Sequence, residues 1–197
     1  AWLIPKRDGS AKIGLATKTG NLKEYLQRFV HNHPIASKKL KKSKIVKKSF
    51  HPITLGGAIS RTYHNGLLIV GDAASQVKPT TGGGIIFGLL CSKIAGEVAA
   101  KAVMNKDYSA KLLSQYQSRW KKTIGFELTA LRYLRLMLNR LSDNEFDEFI
   151  KLCSKLELGK ILEEHGDPDF EGASLIRMLR RPVTLIASLY FLLSSVI

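Results

Sequence analysis

The chain has 197 residues, 45% of them hydrophobic, and a formal net charge of +15. That is enough apolar material for a globular core in one or two domains. Only two thiols, Cys91 and Cys153, are present, with no Cys-x-x-Cys pair, which excludes a disulfide framework and fits a reducing compartment. The charge is uneven: residues 1–66 hold 14 Lys and Arg against 2 acids, whereas residues 67–197 hold 17 against 14. The basic excess is therefore a feature of the first third and needs a local cause.

Ala1 to Lys6 reads as a strand end stopped by Pro5, which cannot donate to a ladder. Arg7-Asp8-Gly9-Ser10 is a turn signal, and Ala11 to Thr17 returns as a second strand, giving a β-hairpin. Asn21 is an N-cap for a short amphipathic helix over Asn21 to Val30, with Leu22, Tyr25, Leu26 and Phe29 on one side. His31 and His33 follow; no Cys or carboxylate nearby completes a metal site, so they read as loop residues.

Seven lysines crowd into residues 38–48. Two readings stand side by side: a solvated basic loop, or a patch for an anionic membrane surface. No aromatic residue is interleaved and no nucleic-acid-binding signature is present, so nucleic acid is not an expected partner. Ile45-Val46 and Phe50 to Leu55 suggest a further strand region, and Asn65-Gly66 is a hairpin-type turn.

Leu67 to Val70 is a short apolar run closed by Gly71, as expected of a strand covered on both faces. Asp72 follows at its carboxyl end, where open α/β sheets put ligand-binding groups. A carboxylate there accepts hydrogen bonds from sugar or polyol hydroxyls. Gly82, Gly83 and Gly84 let backbone come close to a flat or phosphorylated ligand, and the helix predicted over Ile85 to Met104 points its free N–H groups at the same place. The bland reading, a tight strand-to-helix connection, is the weaker one for the whole stretch.

The rest reads as helical. Small residues at Gly88, Ser92, Ala95, Gly96, Ala99 and Ala100 suit close packing, and Lys93, Glu97 and Lys101 argue against a membrane span. Tyr108 to Leu141 is one long helix or two, and Ser142 to Glu145 is a capping box starting the next. Gly166 to Phe170 is a polar turn, followed by a basic-edged helix over Ala173 to Arg181. Residues 183–197 are almost wholly apolar but, at fifteen, fall short of a bilayer span. An interfacial helix and a helix docked in a groove both remain open there.

Gly71-Asp72-Ala73-Ala74 followed by Pro79-Thr80-Thr81-Gly82-Gly83-Gly84-Ile85 resembles the second FAD-binding motif of flavoproteins with the p-hydroxybenzoate hydroxylase-like fold. It is most similar to the geranylgeranyl reductase family. By that resemblance Asp72 binds the ribityl part of FAD, and the backbone of Gly83, Gly84 and Ile85 approaches the isoalloxazine and pyrophosphate. Trp2, Pro5 and Lys6 match part of the family's substrate-side motif Tyr-x-Trp-x-Phe-Pro-Lys, with Ile4 in place of Phe. Trp2 is then a wall of an isoprenoid channel; a Trp packed in a sheet core is the equal alternative.

The resemblance implies an α/β (α+β) chain: a partial FAD-binding fold without its N-terminal Rossmann unit, since no Gly-x-Gly-x-x-Gly occurs and the chain starts at Ala1 without Met. It divides the chain into a remnant of the antiparallel substrate sheet (1–63), the returning strand and helix of the FAD domain (64–105) and a C-terminal helical domain (106–197). The expected function is FAD-dependent reduction of C=C bonds in geranylgeranyl chains of a phospholipid precursor, by a cytoplasmic, peripheral membrane enzyme. Its partners would be a prenyl lipid and an anionic membrane surface; NAD(P)H and ferredoxin both stay open as electron donor. No catalytic acid is assigned and no metal is expected. The rivals are a monooxygenase or halogenase on the same fold, and a basic membrane module without catalysis.

Overall fold

In the computed structural model, which describes residues 1–167, 169–179, 184–185 and 188–190, the chain divides into two units, Ala1–His51 and Pro52–Ile197. The first begins with the expected hairpin. Strand β1 (Trp2–Pro5) pairs antiparallel with β2 (Ala11–Gly14), placing Trp2 opposite Gly14 and Pro5 opposite Ala11. The turn is tied by Asp8, whose Oδ1 accepts from the N–H and hydroxyl of Ser10 at 3.0 and 2.6 Å, while Gly9 takes φ +78°. Those bonds, with the Lys6 ammonium, hold the Asp8 carboxyl below the usual carboxylate range.

Helix α1 (Leu22–Asn32) starts where the N-cap rule predicts, with Asn21 Oδ1 accepting from the N–H groups of Lys23 and Glu24. His33 has a local job. Its Nδ1 accepts from the N–H groups of Ile35 and Ala36, both at 3.3 Å, at the start of the short helix α2 (Ala36–Leu40). The strand expected over residues 45–55 does not form. The segment makes no ladder, and Val46 is 95% exposed. A strand needs a neighbour for its N–H and C=O groups, and none is supplied among the described residues.

The second unit opens with β3 (Tyr63–His64) and β4 (Leu67–Leu68), antiparallel about the Asn65–Gly66 turn. The doubly covered strand expected over Leu67–Val70 is much reduced. Only two of its residues pair, Leu67 is 50% exposed, and Ile69 merely donates to the Thr62 carbonyl at 2.9 Å. With one short neighbour, an apolar run cannot be covered on both faces.

Helices carry the remainder: α3 (Ile85–Met104), α4 (Ala110–Trp120), α5 (Phe126–Leu138), α6 (Asp143–Lys155), α7 (Leu158–His165) and α8 (Glu171–Leu179). Between α4 and α5 the chain stays helical through a π segment, Lys121–Gly125. The core is the α3–α4 contact. Phe87, Cys91, Ile94, Ala95, Val98 and Ala102 form the inner face of α3, at helical spacing. They meet Leu112, Leu113, Tyr116 and Trp120 of α4, then Ile124 and Leu128. Each of the largest apolar side chains contributes about 1.5–3 kcal/mol by leaving water.

Buried polar groups in this core are matched. Thr62 is fully buried; its N–H donates to Gln117 Oε1 at 2.8 Å and its hydroxyl accepts from Trp120 Nε1 at 2.9 Å. At α6 the capping box is complete, with Ser142 and Glu145 bonding each other reciprocally. No helix among the described residues is long and apolar enough to cross a membrane. The expectation for residues 183–197, an interfacial or docked helix, lies mostly outside the described residues.

Candidate functional site

Immediately after β4 the chain tightens. Gly71, at φ +67°, enters a 3-10 turn over Gly71–Ala74, and Ser75 closes it in the left-handed region at φ 53°. Gln76 fixes the turn: its N–H donates to the Gly71 carbonyl at 3.0 Å and its Oε1 accepts from the Gly71 N–H at 2.8 Å. Its amide nitrogen donates to the Tyr116 hydroxyl at 2.9 Å, which in turn donates to the Ile69 carbonyl at 3.1 Å. Burial pushes the Tyr116 phenol up to about 12 and the adjoining Cys91 thiol up to about 11. With the turn anchored on this buried network, the Asp72 side chain is left exposed.

The glycine-rich loop folds back on itself. Lys78 N–H donates to the Gly83 carbonyl at 2.9 Å, and Gly82 N–H to the Lys78 carbonyl at 2.8 Å, with Gly82 at φ +74°. This return brings Gly84 against the turn. A Cβ on Gly84 would lie 2.6 Å from Val77 Cγ1 and 2.9 Å from Asp72 Oδ1, so only glycine fits without displacement. Helix α3 begins at the next residue with no side-chain cap. Its first N–H groups and positive dipole end are thus available beside a carboxylate and bare backbone. Ile85, the first residue of the helix, is 80% exposed.

Four predicted residues, Asp72, Gly83, Gly84 and Ile85, therefore fall within one turn-and-loop arrangement. Such a place can accept hydroxyl hydrogen bonds on the carboxylate and donate N–H bonds to an acceptor from the helix start. The other three sit in the first unit. Trp2 is 44% exposed and lies over Gly14, where a Cβ would come within 2.1 Å of the indole. Pro5 ends β1, and Lys6 Nζ pairs with Asp8 at 3.2 Å. Arg61, given no role from sequence, stacks over the Tyr63 ring at 5.0 Å. Among the described residues no group of three His, Cys, Asp or Glu side chains could hold a metal. A groove of about 240 Å³ beside β4, lined by Leu67, Leu68, Ala99, Val103 and Tyr108 among others, shares none of the residues of the Asp72–Gly84 arrangement.

Sequence reasoning missed what stands behind the loop. Lys78 Nζ lies 2.9 Å from Glu171 Oε1, and the Thr80 hydroxyl donates to Glu171 Oε2 at 3.0 Å. Arg135 Nη1 donates to the Pro79 carbonyl at 2.9 Å. Buried Glu127 accepts the N–H groups of Gly172 and Ala173, both at 2.7 Å, at the start of α8. The Phe170 ring meets Phe87 with centroids 6.0 Å apart. These partners are 45 or more residues apart, and no local pattern signals them.

Comparison with known proteins agrees with the motif. No family model matches the chain. It is 35% identical over 192 residues to digeranylgeranylglycerophospholipid reductase 2 of Methanothermobacter thermautotrophicus, covering 91% of this chain and 46% of that protein. It is 38% identical over 167 residues to the digeranylgeranylglycerophospholipid reductase of Methanococcus vannielii, covering 81% of this chain and 42% of that one. The chain belongs to the geranylgeranyl reductase family. It spans less than half the length of these curated relatives and matches their C-terminal part. A solved structure, a geranylgeranyl bacteriochlorophyll reductase-like protein from Thermoplasma acidophilum, superposes with a TM-score of 0.66 at 29% identity, covering 78% of this chain and 39% of that one. The mixed architecture, helices with small antiparallel sheets, is thus that of a geranylgeranyl reductase-like protein.

Proposed function

We propose that this chain is the C-terminal part of an FAD-dependent reductase that saturates C=C bonds of geranylgeranyl chains on a membrane phospholipid. The observation that carries the reading is the facing of Asp72 and Gly84: carboxylate and bare backbone meet at the uncapped start of α3. The family relation supplies the class of reaction and substrate. A flavin suits the residues present, because a polyol needs an open carboxylate and a flat ring needs a backbone stripped of Cβ.

In this reading bound FAD supplies hydride chemistry, and the protein supplies position and electrostatics. Asp72 accepts hydrogen bonds from the ribityl hydroxyls. Gly83, Gly84 and Ile85 offer backbone to the isoalloxazine and pyrophosphate. Trp2, Pro5 and Lys6 border the prenyl chain, and the lysines of residues 38–48 hold the enzyme at an anionic, cytoplasmic membrane surface as a peripheral protein.

The test uses the full-length protein. Purified protein should be yellow, and after anaerobic reduction it should regain its oxidised spectrum on addition of a geranylgeranyl lipid but not of an aromatic acid. Asp72→Ala should weaken FAD binding roughly tenfold, the loss of one or two charge-assisted hydrogen bonds. A colourless preparation, or reoxidation by the aromatic acid alone, would falsify the assignment.

A further inference from the structure

The glycine-rich loop is held from behind by groups that the flavin reading leaves unused. One carboxylate, Glu171, takes both the Lys78 ammonium at 2.9 Å and the Thr80 hydroxyl at 3.0 Å. The Lys78 and Glu171 side chains are only 12% and 29% exposed, so the pair is largely withdrawn from water and is not an ordinary surface ion pair. The lysine stem runs along the loop itself: its Cε would stand 3.3 Å from a Cβ on Gly83. Glu171 is the first residue of α8, and the turn it begins is pinned by the Glu127 carboxylate on the N–H groups of Gly172 and Ala173. Arg135, from α5, adds a bond to the Pro79 carbonyl at 2.9 Å. The backbone from Lys78 to Gly84 is thus aimed by α5 and α8.

We infer that Glu171 is a positioning residue for the flavin, acting through Lys78 and Thr80 on the loop that faces the ring. The inference rests on the flavin reading of Asp72 and Gly84. Two effects follow. Glu171 fixes the loop geometry, and its negative charge offsets the Lys78 ammonium beside Gly83. Removing the charge while keeping the shape leaves more positive potential near the ring. Positive potential favours the anionic reduced flavin over the oxidised one.

The experiment compares full-length wild-type protein with Glu171→Gln, Glu171→Ala and the double variant Glu171→Gln/Lys78→Met. FAD dissociation constant, visible flavin spectrum, midpoint potential and melting temperature are read for each. Glu171→Gln should raise the midpoint potential and shift the flavin bands, with some loss of melting temperature because it removes one charge of a largely withdrawn pair. Glu171→Ala should in addition weaken FAD binding about tenfold, the loss of two bonds to the loop. The double variant should return the potential toward wild type. A Glu171→Gln protein with wild-type spectrum and potential overturns the inference and leaves the flavin reading intact. So does a raised potential that Lys78→Met fails to lower. Wild-type protein that holds no FAD overturns both.

Discussion

Asp72 and Gly84 are brought together by the return of the loop at Gly82 and by two unusual residues in the turn itself. Gly71 at φ +67° bends the chain out of β4, and Ser75 at φ 53° ends the turn, so the carboxylate swings back toward the loop. Beneath them lies a buried pair with an opposite character. The Cys91 thiol is raised from 9.0 to about 11 and the Tyr116 phenol from 10.0 to about 12, mainly because burial disfavours their anions. Both groups ionise more readily in the unfolded chain than in the folded one. Their contribution to stability is complete below pH 9.0 and is lost as pH climbs through the interval to about 11 for the thiol. Urea unfolding at pH 8, 9 and 10 should show stability falling with pH, less steeply in Cys91→Ala than in wild type. Identical slopes for the two proteins would remove the thiol from the account.

Among the elements, α8 has the clearest single dependence. Its opening N–H groups at Gly172 and Ala173 are satisfied by the two oxygens of Glu127, a side chain 3% exposed. Glu127→Gln leaves one oxygen for two donors and turns an amide N–H₂ toward the other. The expected cost is about 1–3 kcal/mol, with hydrogen exchange in residues 171–179 accelerated more than in α3. Uniform acceleration across both helices would argue against a local role. Elements governed by local rules were legible in advance. Asn21 caps α1, and Ser142 and Glu145 form their box. Most of the small residues expected to pack α3 do not: Ser92, Gly96, Ala99 and Ala100 are exposed, and the buried face is carried by Phe87, Cys91, Ile94, Ala95, Val98 and Ala102. The strand readings overshot, because a β run is defined by a neighbour that the sequence cannot display. Residues 45–55 have no such neighbour among the described residues, and Leu67–Val70 has one for only two positions. The Asp72–Gly84 meeting was legible through its motif. The Glu171 and Arg135 contacts were not, since the Glu171–Lys78 pair joins positions 93 apart. Nor was the π segment, which looks like ordinary helix in any window.

At the level of the whole molecule, charge is sorted along the chain, with the +12 of residues 1–66 dwarfing the +3 of the remainder. Seven of those cations lie in residues 38–48, alongside Ile45 at 72% and Val46 at 95% exposure. Lysines near an anionic bilayer contribute on the order of 1 kcal/mol each and are screened within about 10 Å at 0.1 M salt. Sedimentation with phosphatidylserine-containing vesicles should therefore fall steeply as salt rises, and should be weak for neutral vesicles. Replacing Lys41, Lys42, Lys47 and Lys48 by Gln should abolish most of it. Equal, salt-insensitive sedimentation with both vesicle types would exclude the lysines as the anchor.

The rear support of the Lys78–Gly84 loop also limits how portable the motif is. Residues 71–85 could be cut out and grafted into a foreign α/β scaffold with every glycine intact. The graft would leave behind Arg135 and Glu171, which lie on α5 and α8 and aim the loop from outside the copied segment. The patch that holds the loop is therefore assembled from distant parts of the chain, of which the recognisable string of letters is only the visible front.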